Sequence, residues 1–342
     1  MKILSLIIPA YNSEKYLDKC VRSMLAPEIL DKLDIIIVND GSTDATAAVA
    51  EKYCAAYPDS VRLISQENRG HGGALNTGFA AAVGKYLKPI DADDWVETEN
   101  LPQFVRFLEK CGSDVVLTHY RTIDIGTGEV KNWRSFPGEF GRPYSFDEIM
   151  ADWKSFDRSL TFHGIAYNTA FYRQYGIRLS EHVFYEDHEY ATFPCCYAES
   201  VTPLDLFVYD YRIGDVQQSV SDANQLKRIS HTEAVLKRMI LESGNLTCGA
   251  GGKRYAAMKT QGLLLSYLTT ALLVDPDRKR GRALAKGRME ECKAGLPEAH
   301  ALAQRKYQVF LLMNRLHIRK QGWEKILRSR AYRILGRKHG FE

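Results

Sequence analysis

The sequence predicts an α/β fold, with a mostly parallel central sheet flanked by helices and a C-terminal helical extension. Three observations carry this. Short apolar runs alternate with stretches of helical periodicity from Ile3 to Ile90. Each of these runs ends in a polar cluster, and beyond about Ser221 only helical periodicity remains. Strands alternating with helices of about ten residues imply βαβ units.

Taken in order, Ile3-Leu4-Ser5-Leu6-Ile7-Ile8 reads as a buried strand. Tyr16, Leu17, Cys20, Val21, Met24 and Leu25 then recur at helical spacing, with Asn12 or Ser13 as N-cap. Asp34 to Val38 is the second strand, and Thr43 or Asp44 caps the Ala-rich helix that runs to about Ala56. Val61 to Ile64 is the third strand, Ala74 to Val83 a helix, and Tyr86 to Ile90 the fourth strand. Asp114 to Thr118 is a further strand, and residues 126–158 form an excursion of weak periodicity. Phe162 to Tyr211 returns to mixed strand and helix. The helical remainder is interrupted at Gly249-Ala250-Gly251-Gly252 and at Asp275-Pro276-Asp277. The expected division is residues 1–221 and residues 222–342.

The 342 residues exceed what one hydrophobic core usually serves, which favours a large domain with a smaller appendage. Seven scattered cysteines without a CxxC pair read as reduced thiols of a cytoplasmic protein. The apolar run from Ile3 to Ala10 leads straight into Glu14-Lys15, unlike a signal peptide, and Gly262 to Val274 is too short to span a bilayer. The net charge of +4 is an average of two regions. From Arg305 onward, eleven Lys and Arg face only Glu324 and Glu342, giving this tail +9 and the rest −5. Leu311, Leu312, Leu316 and Trp323 are interleaved with its basic residues, a pattern suited either to an anionic membrane surface or to docking on the protein itself.

The strand ends carry the chemistry. Pro9-Ala10-Tyr11-Asn12, Asn39-Asp40-Gly41-Ser42, Glu67-Asn68-Arg69-Gly70 and Asp91-Ala92-Asp93-Asp94 follow four successive strands. In an open parallel sheet such ends meet at one rim, where ligands bind. Asp91, Asp93 and Asp94 concentrate negative charge that suits a hard cation, Mg²⁺ or Mn²⁺, with substrate phosphates completing its coordination. That points to a diphosphate ligand, and Asp40 is placed to accept hydrogen bonds from a base or a ribose hydroxyl. His71, His163 and His188 show no pairwise metal-ligand spacing and read as structural or solvated. Gly70-His71-Gly72-Gly73 reads as a helix start lying close to the ligand. A metal and diphosphate site offers nucleic acid no complement, so none is expected as a partner.

These clusters, with Val38 to Asp44 and with Asn68-Arg69-Gly70 extended through Ala74 and Asn76, resemble in order and spacing the signatures of family 2 glycosyltransferases of the GT-A, Rossmann-like fold. The similarity continues into Tyr185-Glu186-Asp187-His188-Glu189, which resembles that family's Glu-Asp motif. It extends to Tyr209-Asp210-Tyr211-Arg212 with Ser219 and Ser221, covering about residues 1–221.

The resemblance implies an inverting, divalent-metal-dependent transfer of a sugar, from a UDP-sugar above other nucleotide-diphosphate donors, to a hydroxyl of a glycan or lipid-linked saccharide. The implied setting is cell-surface polysaccharide synthesis at the cytoplasmic face of a membrane. Residue by residue, Asp40 matches the base-reading carboxylate, with Pro9, Ala10 and Tyr11 beside it, and Asn39 stands where many members have a second Asp. Asn68, Gly70 and Asn76 fall in the donor-binding motif. Asp91 matches the residue near the ribose, Asp93 with Asp91 the metal ligands, and Asp187 the catalytic base with Glu186 as its neighbour. Arg212 and Ser219 match diphosphate contacts. Two alternatives stay open at this level, a sugar-nucleotide pyrophosphorylase-like enzyme and a catalytically silent membrane-associated scaffold. Oligomeric state is open too.

Overall fold

The computed structural model describes residues 1–134, 139–156, 160–214 and 222–328. Nine strands form one mixed sheet: β1 (Leu4–Ala10), β2 (Leu33–Asp40), β3 (Val61–Gln66), β4 (Tyr86–Pro89), β5 (Trp95–Val96), β6 (Val115–Asp124), β7 (Val130–Trp133), β8 (Ile165–Asn168) and β9 (Val201–Ile213). Their order is β3-β2-β1-β4-β8-β6-β9-β5, with β7 paired to β6. β1 to β4 are mutually parallel. β8 runs antiparallel between β4 and β6, which restores β6 and β9 to the direction of β1. The carboxyl ends of β1, β2, β3, β4, β6 and β9 therefore share one rim. The antiparallel strands β8 and β5 start from that rim, which brings His163 and Asp94 to it.

β1 and β2 are buried along their whole length, as expected of strands covered on both faces by helices. Between these strands lie α1 (Leu17–Met24), α2 (Thr46–Ala56) and α3 (Gly70–Ala81). The α1 cap differs from expectation, because Asn12 accepts the Thr43 N–H at 2.8 Å instead. Asn12 has φ 49°, a left-handed conformation that an Asn tolerates. Asp44 does serve the start of α2, accepting from Thr46 N at 2.9 Å. α3 begins at Gly70 rather than Ala74, ahead of the apolar periodicity, because its first turn carries glycines and a histidine that packing rather than pattern has selected.

Two compact units make up the chain: Met1–Gln218 with Leu246–Ala256, and Ser219–Asn245 with Ala257–Glu342. The segment Leu246–Ala256 belongs to the first although the pattern assigns it to the helical region. Tyr255 explains this: fully buried, it donates to Ala191 O at 2.5 Å and meets Phe146 edge-on at 5.0 Å. Gly252 lies so close to the backbone that an added Cβ would stand 2.1 Å from Cys196 O.

The second unit is helical throughout its described residues, including Arg278–Gly295, Pro297–Arg315 and Lys320–Arg328. Buried Asn314 ties these helices together, donating to Leu272 O at 2.7 Å and accepting from Arg282 at 2.7 Å. Trp323 packs edge-on against Phe310 at 6.0 Å, and Lys320 pairs with Asp222. Residues of the basic tail beyond Arg328 lie outside the described set. All seven cysteines are free. Among the described residues no helix is long and apolar enough to cross a membrane.

Candidate active site

The rim is built from the turns that follow the strands. Asp40, buried at the end of β2, accepts from Gln66 Nε2 at 2.7 Å and from Arg69 N at 2.8 Å, both on Oδ1. Asn68 donates to Asp40 O at 3.0 Å and accepts from Gly70 N at 3.2 Å. Pro9 and Ala10 close β1, with Ala10 buried, while the next residue, Tyr11, is 53% exposed. An aromatic ring is thus presented beside Asp40's strand.

After β4 the chain turns through Asp91, Asp93 and Asp94, and the three carboxylates have different partners. Asp94 is buried and both its oxygens are engaged, by Tyr209 O–H at 2.6 Å and by Arg212 N–H at 2.7 Å. Asp91 Oδ1 pairs with His71 Nε2 at 2.8 Å, and its N–H donates to Tyr209 Oη at 3.2 Å. The Asp93 side chain is 39% exposed, with Oδ2 3.6 Å from the Arg212 guanidinium. Arg212 in turn lies over the Tyr16 ring at 4.5 Å.

Burial, then the Asp91 charge, raises the proton affinity of Asp93. Burial with Asp91 and Asp93 raises that of Asp94 much further. Burial also works against a charged Asp91, but the His71 charge and hydrogen bond outweigh it and hold the carboxyl low. Crowded carboxylates of this kind are relieved by a divalent cation, so the donor set fits one. Among the described residues, ligand atoms of Asp91, Asp94 and His163 come mutually within 4.8 Å. Asp93 is not in that trio. His163 is kept neutral by burial, its pKa lowered to about 4, as a metal-binding imidazole requires. Its ring stacks on Tyr211 at 4.3 Å.

Asp187 opens a single helical turn, Asp187–Tyr190, after a loop in which His182 and Tyr185 adopt positive φ of 58° and 75°. Its charge adds to the proton affinity of His163 and Tyr211, whose rings stack on each other. Glu186 is 2% exposed; His71 Nδ1 bonds its Oε1, while its Oε2 is buried without a partner. Burial opposes a charged His71, but the charges of Asp91 and Glu186 outweigh it and push its pKa well above the usual range.

Two of the expected donor-site residues contact the loop before Asp187. Asn76 donates to Leu179 O at 2.9 Å and accepts from Leu179 N at 2.8 Å, so its carboxamide anchors the segment leading to Asp187. Gly70, at φ +75°, leaves a Cβ position only 2.9 Å from His182 N, and one on Gly72 would stand 2.1 Å from Ser180 O. At both glycines the absence of a Cβ admits the loop backbone at His182 and Ser180. Ser219 lies outside the described residues. His71, read as structural or solvated, is held between two carboxylates of the rim, and the His163 ring lies within 4.8 Å of ligand atoms of Asp91 and Asp94. Lys88 is also new: wholly buried on β4, it donates to His163 O at 2.6 Å and Ile165 O at 3.1 Å, and burial lowers its pKa to about 7. An isolated Lys inside an otherwise apolar strand was its only signal in the sequence.

A sheet whose parallel strands cross into an antiparallel half at a carboxylate-lined rim is the GT-A architecture. The model of the glycosyl transferase family 2 matches residues 5–176, just over half of the chain, and the chain belongs to that family. That membership sets aside the pyrophosphorylase-like alternative. The chain is 38% identical over 126 residues to EpsH of Bacillus subtilis, a match covering 37% of this chain and 36% of that protein. It is 36% identical over 136 residues to the chondroitin synthase of Escherichia coli, covering 40% of this chain and 20% of that protein. The matched part thus spans well under half of these relatives. Among solved structures, S. aureus TarS 1-349 in complex with UDP-GlcNAc superposes with a TM-score of 0.66 at 19% identity, covering 93% of each chain. The mannosyltransferase PcManGT of Pyrobaculum calidifontis, in complex with GDP-Man and Mn2+, gives 0.51 at 17% identity over 91% of this chain and 83% of that one.

Proposed function

We propose that this chain is an inverting glycosyltransferase that moves a sugar from a nucleotide-diphosphate donor to a hydroxyl of a glycan or lipid-linked saccharide in polysaccharide synthesis. Residues 1–221 are its catalytic part. The observation that carries this reading is the meeting of Asp40, the Asp91–Asp94 carboxylates, Arg212 and Asp187 at one rim. Asp40 reads the base or ribose through the oxygen that Gln66 and Arg69 leave over, with Tyr11 beside it. Asp91 and Asp93 hold a Mn²⁺ or Mg²⁺ ion, with His163 as a further ligand; Asp94, engaged on both oxygens, fixes the turn. When bound, the cation neutralises charge on the diphosphate leaving group.

Asp187 accepts the proton of the acceptor hydroxyl as its oxygen forms a bond to the anomeric carbon. The bond from that carbon to the nucleoside diphosphate breaks with its electron pair on the phosphate oxygen, and Arg212 stabilises that charge. One displacement without a protein nucleophile inverts the anomeric centre. UDP is the preferred nucleotide because the TarS fold neighbour is complexed with UDP-GlcNAc; GDP, as in the PcManGT complex, is the alternative. The proposed place of action is the cytoplasmic face of a membrane. Leu312 and Leu316, 51% and 59% exposed one turn apart, lie among exposed Arg315 and Arg319 and supply a peripheral contact with anionic lipid.

A thermal-shift panel of UDP, GDP and CDP with and without Mn²⁺ tests the donor site. Metal-dependent stabilisation by one nucleotide, lost in Asp93→Ala, is expected. No stabilisation by any of them would remove the donor assignment.

A further inference from the structure

The reaction outlined above uses Asp91 on the donor side and Asp187 on the acceptor side, and one side chain connects them. We infer that His71 is a positioning residue: clamped between Asp91 and Glu186, it sets the base Asp187 at a fixed place relative to the donor-side carboxylate. This rests on the assignment of Asp187 as base.

The anchoring of the loop supports the assignment. Its near end is secured at Leu179 by Asn76 and at Glu181 by Arg69, whose Nε and Nη2 donate at 2.9 and 2.5 Å. Glu189, buried, accepts from Ser180 N at 2.8 Å and from Ser180 Oγ at 2.7 Å, closing the loop on itself. None of these contacts holds Glu186, which adjoins the base. The hydrogen bond to its carboxylate comes from His71 Nδ1, while Nε2 of the same ring holds Asp91 at 2.8 Å. The residue before Glu186 is Tyr185 at φ 75°, a conformation unfavourable for an aromatic residue that persists only where surrounding contacts impose it.

The lack of a Cβ on Gly72 allows this approach, since an added Cβ would stand 2.9 Å from Glu186 Cγ. Both carboxylates thus converge on one imidazole at the first turn of α3. Without that imidazole the turn around Tyr185 is free to relax and carry Asp187 away, while Asp40 and its partners are untouched.

The test compares His71→Ala, His71→Gln and Asp187→Asn with the wild type. Turnover is measured with the sugar nucleotide that the wild type consumes fastest among UDP-, GDP- and CDP-sugars, and affinity by calorimetry with the matching nucleoside diphosphate and Mn²⁺. His71→Ala is expected to lower kcat by about 10²-fold, the scale of a misplaced catalytic group, with nucleotide affinity falling by no more than about tenfold, because Asp91 loses a partner while Asp93 and Asp40 keep theirs. Retained affinity also reports a folded donor site. Hydrogen exchange should rise in peptides spanning residues 180–189 and stay unchanged in β1 and β2. His71→Gln, whose amide can still donate to the carboxylates, should recover part of the loss. Unchanged kcat in His71→Ala beside an inactive Asp187→Asn would overturn the clamp alone. Affinity falling in step with kcat would also overturn it, leaving His71 a donor-site residue. Undiminished turnover in Asp187→Asn would instead remove the base, and the role of the clamp with it.

Discussion

On the β1–β4 side of the rim the residues are held by bonds between adjacent βα turns. Asp40 reaches Gln66 and Arg69, and Asn12 reaches Thr43, across 26 to 31 positions. On the other side Asp187 sits in a loop held by Asn76, Arg69 and His71 across 103 to 115 positions. In the first region the turns after β1, β2 and β3 brace one another, while the Asp91–Asp94 turn after β4 reaches across to Tyr209 and Arg212. The second depends on the first, because its three anchors are the residue before α3 and two residues within it. Donor binding should therefore survive damage to the base loop, whereas the base loop should not survive damage to α3.

The largest effect expected from this difference is in Asp187→Asn, which should lower kcat by about 10²–10⁴-fold, the usual contribution of a general base. UDP–Mn²⁺ affinity should remain as in the wild type, and a matching fall in affinity would erase the distinction between the two sides. Next comes Gly72→Ala. Its methyl would stand 2.1 Å from Ser180 O, so overpacking should cost about 1–3 kcal/mol, read as a lowered thermal midpoint with turnover lost beyond what stability explains. Gly112→Ala, where nothing lies within 4 Å of the added Cβ, is the control and should be near neutral.

The smallest effect concerns Lys88, which lies beneath both regions. Burial lowers its pKa to about 7, so above that pH the unfolded chain binds a proton that the folded chain does not, and stability rises with pH. Measured against Lys88→Met in urea without metal or nucleotide, the wild type should gain roughly 1 kcal/mol or less between about pH 6 and about pH 7.5. A flat difference would show that Lys88 stays charged throughout, and a gain of about 2 kcal/mol over the same range that it stays neutral.

The four parallel strands were readable because their apolar runs are buried on both faces, and such runs depend little on what surrounds them. The strand-end clusters followed, since a parallel sheet delivers its carboxyl ends to one rim whatever the sequence of the turns. The β8 and β9 crossing was less legible: nothing local states that β8 runs backwards, and that reversal is what brings His163 beside Asp91. Asn76 and Gly70 fell within a recognisable motif, yet their atoms face Leu179 and His182, partners about a hundred positions away.

By itself, then, the sequence determined the α/β class, the rim and its carboxylates, because apolar runs, turn residues and clustered charge act over a few neighbouring positions. Tertiary structure alone decided which carboxylate is exposed, which is engaged, and which histidine joins the two sides. Those outcomes depend on burial and on hydrogen bonds between residues far apart in the chain, and neither is a property of any local stretch.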